Sequence, residues 1–353
     1  MKPYPILLPL ALALASCGGG GSGGGGNNGG LLTAQSVANS GNFASALRFL
    51  PDGDILFTEL NTGNVRIVDN GTLLTTPVFH VDVNTDGERG LLGLAIDPNY
   101  ASNNFVYIFY TKSSGTENEV LRFTVTNNVG GSATPIVSGL PAANNHDGGR
   151  IAFGPDGKLY VTLGDVGTSS NSQSDATPAG KVLRYNPNGT IPGDNPVGGN
   201  PMFAKGLRNP FGLAIDPDTG SVIVSENGPG CGDEINLVTS GANHGWPTVP
   251  CGGSQVGFVD PLYEFPEIVA PTGIAFGTGA YDNTLLVGNF VDPSDPMIAR
   301  SLLQFDLSTM ASGSIGPPTV RYNSSSPIID VAMGPDGNPY VCTAAGEILR
   351  LVP

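Results

Sequence analysis

The chain has 353 residues, of which only 13% are charged, and its formal net charge at pH 7 is −15. A protein this acidic gains nothing from the phosphate backbone of DNA or RNA, so we exclude nucleic acid as a partner. About 320 residues follow the glycine-rich N-terminal region, which is enough for one closed ring of small sheets.

The N-terminal region resembles the leader of a bacterial lipoprotein. A short charged start precedes an apolar run that ends in Leu14-Ala15-Ser16-Cys17, and this run is shorter than the roughly 20 apolar residues of a membrane-spanning helix. The resemblance implies that residues 1–17 are a signal with a lipidated Cys17, and that the protein is anchored in the cell envelope, at the outer membrane or the periplasmic or extracellular face. Ordinary secretory cleavage near Ala15 is the alternative. Residues 18–32 are expected to be a disordered tether, and residues 33–353 the folded domain.

An internal repeat predicts the fold. A short apolar stretch, a Pro-Asp-Gly turn or its equivalent, an alternating apolar strand and a second strand ending in arginine and an apolar residue recur along the chain. The copies run from Leu47 to Val68, Leu94 to Val125, Ile151 to Tyr185, Leu213 to Val238, Ile274 to Leu307 and Val331 to Val352. No segment has a sustained helical period, which argues against a parallel sheet with crossover helices. We therefore predict an all-β six-bladed β-propeller, with its functional residues at one end of the central channel.

The cysteines beyond the leader indicate one crosslink. Cys231 and Cys251 bracket a loop rich in glycine and proline, and in an oxidising compartment such a pair is most simply a disulfide. Two free thiols are the alternative, and the paired spacing of a zinc site is missing. Cys342 lies in a strand-like run and is expected to be a buried thiol.

One histidine lies in a polar loop that leads directly into a strand. His146 in this position is a base, a metal ligand or a loop residue that stabilises a turn. Asp165 ends the next strand of the same blade, and antiparallel strands bring the two residues together. An aspartate on one imidazole nitrogen fixes the tautomer and raises the basicity of the other nitrogen. An Asx turn at the strand end accounts for Asp165 equally well.

Several motifs stand in a fixed order along the folded domain. They are Glu88-Arg89-Gly90-Leu91-Leu92-Gly93-Leu94-Ala95, His146-Asp147-Gly148-Gly149-Arg150 with Leu163-Gly164-Asp165, Gly206-Leu207-Arg208-Asn209-Pro210, Ser225-Glu226-Asn227-Gly228-Pro229 followed by Gly232-Asp233-Glu234-Ile235-Asn236-Leu237, and Gly241-Ala242-Asn243-His244-Gly245-Trp246-Pro247. On these motifs the chain resembles the soluble glucose and aldose sugar dehydrogenases that use pyrroloquinoline quinone (PQQ).

The resemblance implies an enzyme that oxidises an aldose at its anomeric carbon to a lactone. PQQ would lie at the mouth of the channel, where His146 removes the sugar hydroxyl proton and Asp165 orients His146. Glu88, Arg208 and Asn209 would contact the cofactor. The electrons would pass to an unidentified acceptor, a quinone or a cytochrome.

The resemblance also implies calcium. The backbone carbonyls of Gly228 and Pro229 would hold an ion that polarises the quinone as a Lewis acid. Glu234 and the residue at position 244 resemble a second, structural calcium site, in which His244 replaces the usual tyrosine.

Three departures from the family pattern weaken the expected contacts with PQQ, and the missing arginines favour a binding function. Glu88 replaces a glutamine that is common beside the cofactor, and the last blade reads Ser326-Pro327-Ile328-Ile329-Asp330-Val331 without the arginine pair of quinone-binding members. Asn289 also stands in place of a lysine. Calcium and Arg208 would then neutralise the cofactor's carboxylates, with Arg300 and Arg321 as further candidates for this contact. The rival hypotheses are a non-catalytic propeller, stiffened by calcium, that binds carbohydrate or protein, and a calcium-dependent lactonase.

Overall fold

The computed structural model describes residues 30–249, 251–290 and 300–353. The leader, the lipidated cysteine and nearly all of the glycine-rich tether lie outside these ranges, so the lipid anchor and the envelope location stay predictions. No helix within these ranges is long and apolar enough to cross a membrane.

The described residues form an almost entirely β structure. The strands are β1 (Thr33–Asn39), β2 (Ala44–Phe49), β3 (Ile55–Glu59), β4 (Asn64–Asp69), β5 (Thr72–Leu73), β6 (Phe79–His80), β7 (Leu91–Ile96), β8 (Phe105–Thr111), β9 (Glu117–Thr126), β10 (Val129–Pro141), β11 (Ile151–Phe153), β12 (Leu159–Leu163), β13 (Lys181–Tyr185), β14 (Met202–Lys205), β15 (Pro210–Ile215), β16 (Val222–Glu226), β17 (Glu234–Val238), β18 (Tyr263–Glu264), β19 (Pro271–Phe276), β20 (Thr284–Asn289), β21 (Ser301–Asp306), β22 (Thr319–Asn323), β23 (Ile328–Met333), β24 (Pro339–Thr343) and β25 (Glu347–Val352). Helix α1 is Tyr100–Asn103, and short 3-10 turns lie at Ser169–Gln173, Gly279–Tyr281 and Met310–Ser312.

These strands build six antiparallel sheets, which confirms the six-bladed propeller. From the innermost strand outward, the first five blades run β2-β3-β4-β5, β7-β8-β9-β10, β11-β12-β13-β14, β15-β16-β17-β18 and β19-β20-β21-β22, and β6 adds to β4. The sixth blade runs β23-β24-β25-β1, so its outermost strand comes from the N-terminal end of the domain. Thr33 pairs with Val352 there. This pairing closes the ring with backbone hydrogen bonds.

The turns of the repeat form because proline and glycine preset their backbone. In the third blade, Gly157 has φ +70°, a left-handed conformation that glycine adopts without steric cost. Its N–H donates to the carbonyl of Gly154, and the Asp156 side chain accepts from the N–H of Lys158. The resulting hairpin sets β11 against β12 in register, with Ile151 opposite Val161.

The core consists of apolar clusters packed between neighbouring blades. Leu56 and Ile67 of the first blade pack with Leu94, Ile108 and Phe123 of the second, and all of these side chains are almost completely buried. Burial on both faces explains why the inner strands read as nearly continuous apolar runs. The result is a stiff ring that fixes the positions of the loops at its ends.

A buried arginine joins the innermost strands of several blades. The Arg150 guanidinium is completely buried and donates to the carbonyls of Leu92 and Ile329, which belong to two other blades. It also stacks on the ring of Phe211, with 4.7 Å between its central carbon and the ring centroid. Arg150 therefore links its own blade to three others, through β7, β23 and β15.

The two predictions about the later cysteines are borne out. Cys231 and Cys251 form a disulfide with 6.0 Å between their Cα atoms. Cys342 is a buried free thiol, and burial raises the pKa of this thiol far above its usual range. A buried neutral thiol is chemically inert.

Candidate active site

Four of the residues singled out in the sequence meet at one mouth of the channel. Glu88 precedes β7, His146 precedes β11, and Arg208 and Asn209 precede β15. The innermost strands of a propeller run in the same direction, so the loops that lead into them converge. Together they line a cavity of about 300 Å³, whose wall also includes Thr272.

Within this cavity wall His146 is hydrogen-bonded to Asp165. The distance between Nδ1 of His146 and Oδ1 of Asp165 is 2.6 Å, and both side chains are largely buried. Burial by itself raises the pKa of Asp165, but the hydrogen bonds from His146 and Trp246 outweigh it and hold this pKa below its ordinary value. An ionised Asp165 accepts the Nδ1 proton, which leaves Nε2 as the basic nitrogen of the imidazole.

The backbone brings these two residues together by a close approach at Gly164. A Cβ at this position would lie 2.2 Å from the carbonyl oxygen of His146 and 2.8 Å from that of Arg208, so no larger residue fits. The N–H of Asp165 donates to the same Arg208 carbonyl at 2.7 Å. The close approach of these two carbonyl oxygens therefore explains why the Leu163-Gly164-Asp165 motif has glycine at position 164.

Glu88 supports the backbone of the histidine loop. His146 has φ +62°, an uncommon conformation for a residue with a side chain, and its N–H donates to Oε2 of Glu88 at 2.8 Å. The same oxygen accepts from Nδ2 of Asn209 at 3.3 Å. The Glu88 carboxylate therefore ties the loops of two blades together at the cavity.

Arg208 and Asn209 present polar groups to the cavity. Nη1 of Arg208 donates to the carbonyl of Asn227 at 2.6 Å. Oδ1 of Asn209 is buried and has no hydrogen-bond partner among the described residues. Since buried polar atoms are normally paired, Asn209 has a free acceptor for a bound molecule.

Gly228 and Pro229 line a second, adjoining cavity of about 380 Å³ instead of the first one. Arg208 lines both cavities and so separates them. Glu234 and His244 also line the second cavity. The structure thus divides the predicted site residues into a His146 group and a Glu234 group.

The second cavity contains carboxyl groups that are costly to ionise. Glu226 is completely buried, and burial together with the nearby Glu234 raises the pKa of Glu226 well above its ordinary value. Burial, with neighbouring carboxylates, raises the pKa of Glu234 to about 7. One oxygen of Glu226 and both imidazole nitrogens of His244 lack partners among the described residues. Burial lowers the pKa of His244 to about 4, so its imidazole is neutral.

Residues 42–350 match the family model described as glucose/sorbosone dehydrogenase. The chain belongs to this family. It is 37% identical to quinoprotein glucose dehydrogenase B of Acinetobacter calcoaceticus, in a match that covers 59% of this chain and 51% of that relative. It is 27% identical to the aldose sugar dehydrogenase YliI of Escherichia coli, in a match that covers 87% of this chain and 89% of that relative. The structure of the PQQ-bound aldose sugar dehydrogenase of Streptomyces coelicolor has a TM-score of 0.80 and 29% identity, covering 91% of this chain and 97% of that one.

The two arginines expected to replace the family's missing cations differ in position. Arg321 lies in β22, the outermost strand of its blade, where it donates to Gln304 and stacks on Tyr281. It is therefore too far from the channel to contact a molecule in the cavity. Arg300 is exposed and donates to the carbonyl of Ser325 at 3.1 Å, in the loop that leads into β23. Among the described residues, Arg208 is the one cationic side chain that lines the His146 cavity.

Three residues that the motifs contain, but to which we assigned no role, turn out to be structurally important. Arg150 joins the innermost strands of several blades, Glu226 is the buried acid of the second cavity, and Trp246 contacts Asp165. Trp246 is the single tryptophan of the chain, which is the only sequence signal that could have drawn attention to it. Its contact with Asp165 spans 81 residues and has no local pattern.

Proposed function

We propose that the protein oxidises an aldose at its anomeric carbon, with His146 as the general base and PQQ as the cofactor. The observation that carries this proposal is the His146–Asp165 hydrogen bond at the wall of a cavity that also presents Arg208 and Asn209. A base needs an oriented imidazole with one free nitrogen, and Nε2 of His146 meets this need. Membership of the glucose/sorbosone dehydrogenase family supports the same reaction.

The residues of the cavity fit the cofactor in part. Arg208 supplies a cation for a carboxylate, and the free acceptor of Asn209 suits a donor on the bound molecule. When bound, PQQ would accept the hydride from the sugar. His146 would take the hydroxyl proton on Nε2, and Asp165 would stabilise the resulting imidazolium through Nδ1. Electrons would then leave to an acceptor that the chain does not identify.

Calcium is part of this proposal. The second cavity offers oxygen donors from Gly228, Pro229, Glu226 and Glu234, and calcium prefers oxygen ligands. The residues described in 30–249, 251–290 and 300–353 contain no group of three or more His, Cys, Asp or Glu side chains arranged to hold a metal ion. An ion there would therefore depend largely on backbone carbonyls. The imidazole of His244 is a poor ligand for calcium, so we assign it no coordinating role through its side chain.

One observation favours a second candidate, a binding propeller without redox activity. Within the described ranges, Arg208 is the single cationic side chain in the cavity wall, and the Glu88 carboxylate lies on the same wall. Each missing charge-assisted hydrogen bond removes about 1.5–3 kcal/mol of binding free energy. A cofactor with several carboxylates would then bind weakly, while a neutral sugar would not be affected.

Reconstitution distinguishes the two candidates. Purified protein is mixed with calcium and PQQ, and the bound quinone spectrum and dye reduction are measured with a series of aldoses. We expect dye reduction that disappears in His146→Ala, whereas that variant still binds the quinone. Absence of quinone binding at millimolar cofactor, together with aldose binding by calorimetry, would contradict the enzyme proposal and support the binding propeller.

A further inference from the structure

The only tryptophan of the chain contacts the residue that orients His146. The indole Nε1 of Trp246 donates to Oδ2 of Asp165 at 2.9 Å. Oδ1 of the same carboxylate accepts from His146 at 2.6 Å and from the N–H of Gly167 at 2.8 Å. Both carboxylate oxygens are therefore engaged, and the carboxylate cannot rotate without losing a hydrogen bond. The orientation of the imidazole depends on that of the carboxylate.

The loop that carries Trp246 is fixed to the loop that carries Asp165. Nε2 of Gln173 donates to the carbonyl of Trp246 at 2.7 Å and to Oδ1 of Asn243 at 3.0 Å. The N–H of Trp246 donates to the carbonyl of Gly206 at 2.9 Å. These contacts hold the half-buried indole in one place, so its donor is already oriented before any ligand binds.

Trp246 also contacts the residue that separates the two cavities. The guanidinium carbon of Arg208 lies 5.9 Å from the centroid of the indole ring, within the range of a cation–π contact. The backbone carbonyl of Arg208 accepts from the N–H of Asp165. One side chain therefore touches both the partner of the base and the cationic residue of the site.

We propose that Trp246 is a positioning residue, which fixes the Asp165 carboxylate so that His146 directs Nε2 into the cavity. The inference deepens the proposed aldose oxidation and rests on it only for its kinetic consequences. A side chain that merely filled space would not need its N–H. The hydrogen bond to a carboxylate makes the donor itself the functional group.

The first test needs no activity. Since the chain has one tryptophan, apoprotein labelled with ¹⁵N-tryptophan gives one indole N–H resonance, which is followed by NMR from pH 5 to pH 8. We expect this resonance to shift together with the His146 ring, because both share Asp165, and to stop shifting in His146→Ala. Glu234 titrates in the same range and also lines a cavity with Trp246, so Glu234→Gln is the control in which the shift must persist. A resonance that does not move with pH, or whose shift is lost in Glu234→Gln, overturns the inference.

Other ionisable groups lie near His146. Glu88 accepts from its backbone N–H, Arg208 lines the same cavity, and Asp147 follows it in the chain. Burial raises the pKa of Asp147 to about 6, but its side chain accepts from Asn118 and from the N–H of Ala143. None of these groups is hydrogen-bonded to the imidazole.

The second test is kinetic and uses Trp246→Phe, which keeps an aromatic ring and removes the donor. Without this donor, the negative charge of Asp165 interacts more strongly with His146 and favours the protonated imidazole. The acid limb of the kcat/KM profile should therefore move to higher pH by about half a unit or more. We expect kcat to fall about tenfold and KM for the sugar to stay within about twofold. An unchanged acid limb and kcat, or an effect on KM alone, contradicts the inference. If wild-type protein oxidises no aldose but the NMR coupling is present, the proposed function fails and the positioning role stands.

Discussion

Replacing Asp165 by asparagine tests the oriented imidazole most directly. Three donors converge on this carboxylate, from His146 at 2.6 Å, Gly167 at 2.8 Å and Trp246 at 2.9 Å. The amide of asparagine has one acceptor oxygen, and its NH₂ group must face at least one of the three donors whichever way the amide is turned. The substitution therefore removes both the charge and one hydrogen bond.

The magnitude follows from these contacts. A hydrogen bond to a charged group contributes about 1.5–3 kcal/mol, so its loss from the transition state should lower kcat/KM for the aldose by about 10-fold to 150-fold. KM for the sugar should change little, because Asp165 lies behind His146 and not in the cavity wall. An orphaned buried donor should also lower the free energy of unfolding by about 1–3 kcal/mol.

The assay is steady-state dye reduction by protein loaded with PQQ and calcium, together with thermal melting of the apoprotein. Asp218→Asn is the matched control, since Asp218 is an exposed turn residue and the change in charge is the same. A kcat/KM of Asp165→Asn within twofold of wild type, with normal quinone binding, would show that His146 does not act as an oriented base.

Three further outcomes are expected. Glu88→Gln should bind PQQ more tightly in a spectroscopic titration, because it removes a negative charge from the cavity while its amide oxygen still accepts from the N–H of His146. Weaker binding by this variant would show that the negative charge of Glu88 favours PQQ binding. In chelator, the free energy of unfolding of the wild type minus that of Glu234→Gln should fall between pH 5 and pH 8, because a pKa of Glu234 raised from 4.5 to about 7 makes the folded state hold a proton that the unfolded state has already lost, an effect of about 3 kcal/mol. The subtraction removes the opposite dependence that His244 contributes below pH 6.5, since burial lowers the pKa of His244 to about 4. A difference between the two proteins that stays constant or rises with pH is the contrary result. Reduction of the disulfide, or a Cys231→Ser and Cys251→Ser double variant, should lower the free energy of unfolding in denaturant melts by about 3 kcal/mol, and an unchanged midpoint would contradict the crosslink's stabilising role.

The sequence predicted the blades because their determinants are local. The Pro-Asp-Gly turn at 155–157 and the alternating strands on either side of it are short-range patterns with known backbone requirements. The repeat covers only the inner three strands of each blade. The outermost strands have weaker patterns, and the closing pair of Thr33 and Val352 joins residues at opposite ends of the domain. No local signal encodes such a pairing.

The candidate site shows the same division between local and long-range information. The sequence alone placed His146 and Asp165 on one blade, since 19 residues of hairpin join them. It could not show that Gly228 and Pro229 line a different cavity from His146, because that depends on how loops of neighbouring blades pack. Nor could it pair Trp246 with Asp165. Contacts of this kind arise only when the closed ring fixes the directions of its loops. The sequence therefore determined which residue types are available for the site, and the tertiary structure determined which of them are in contact.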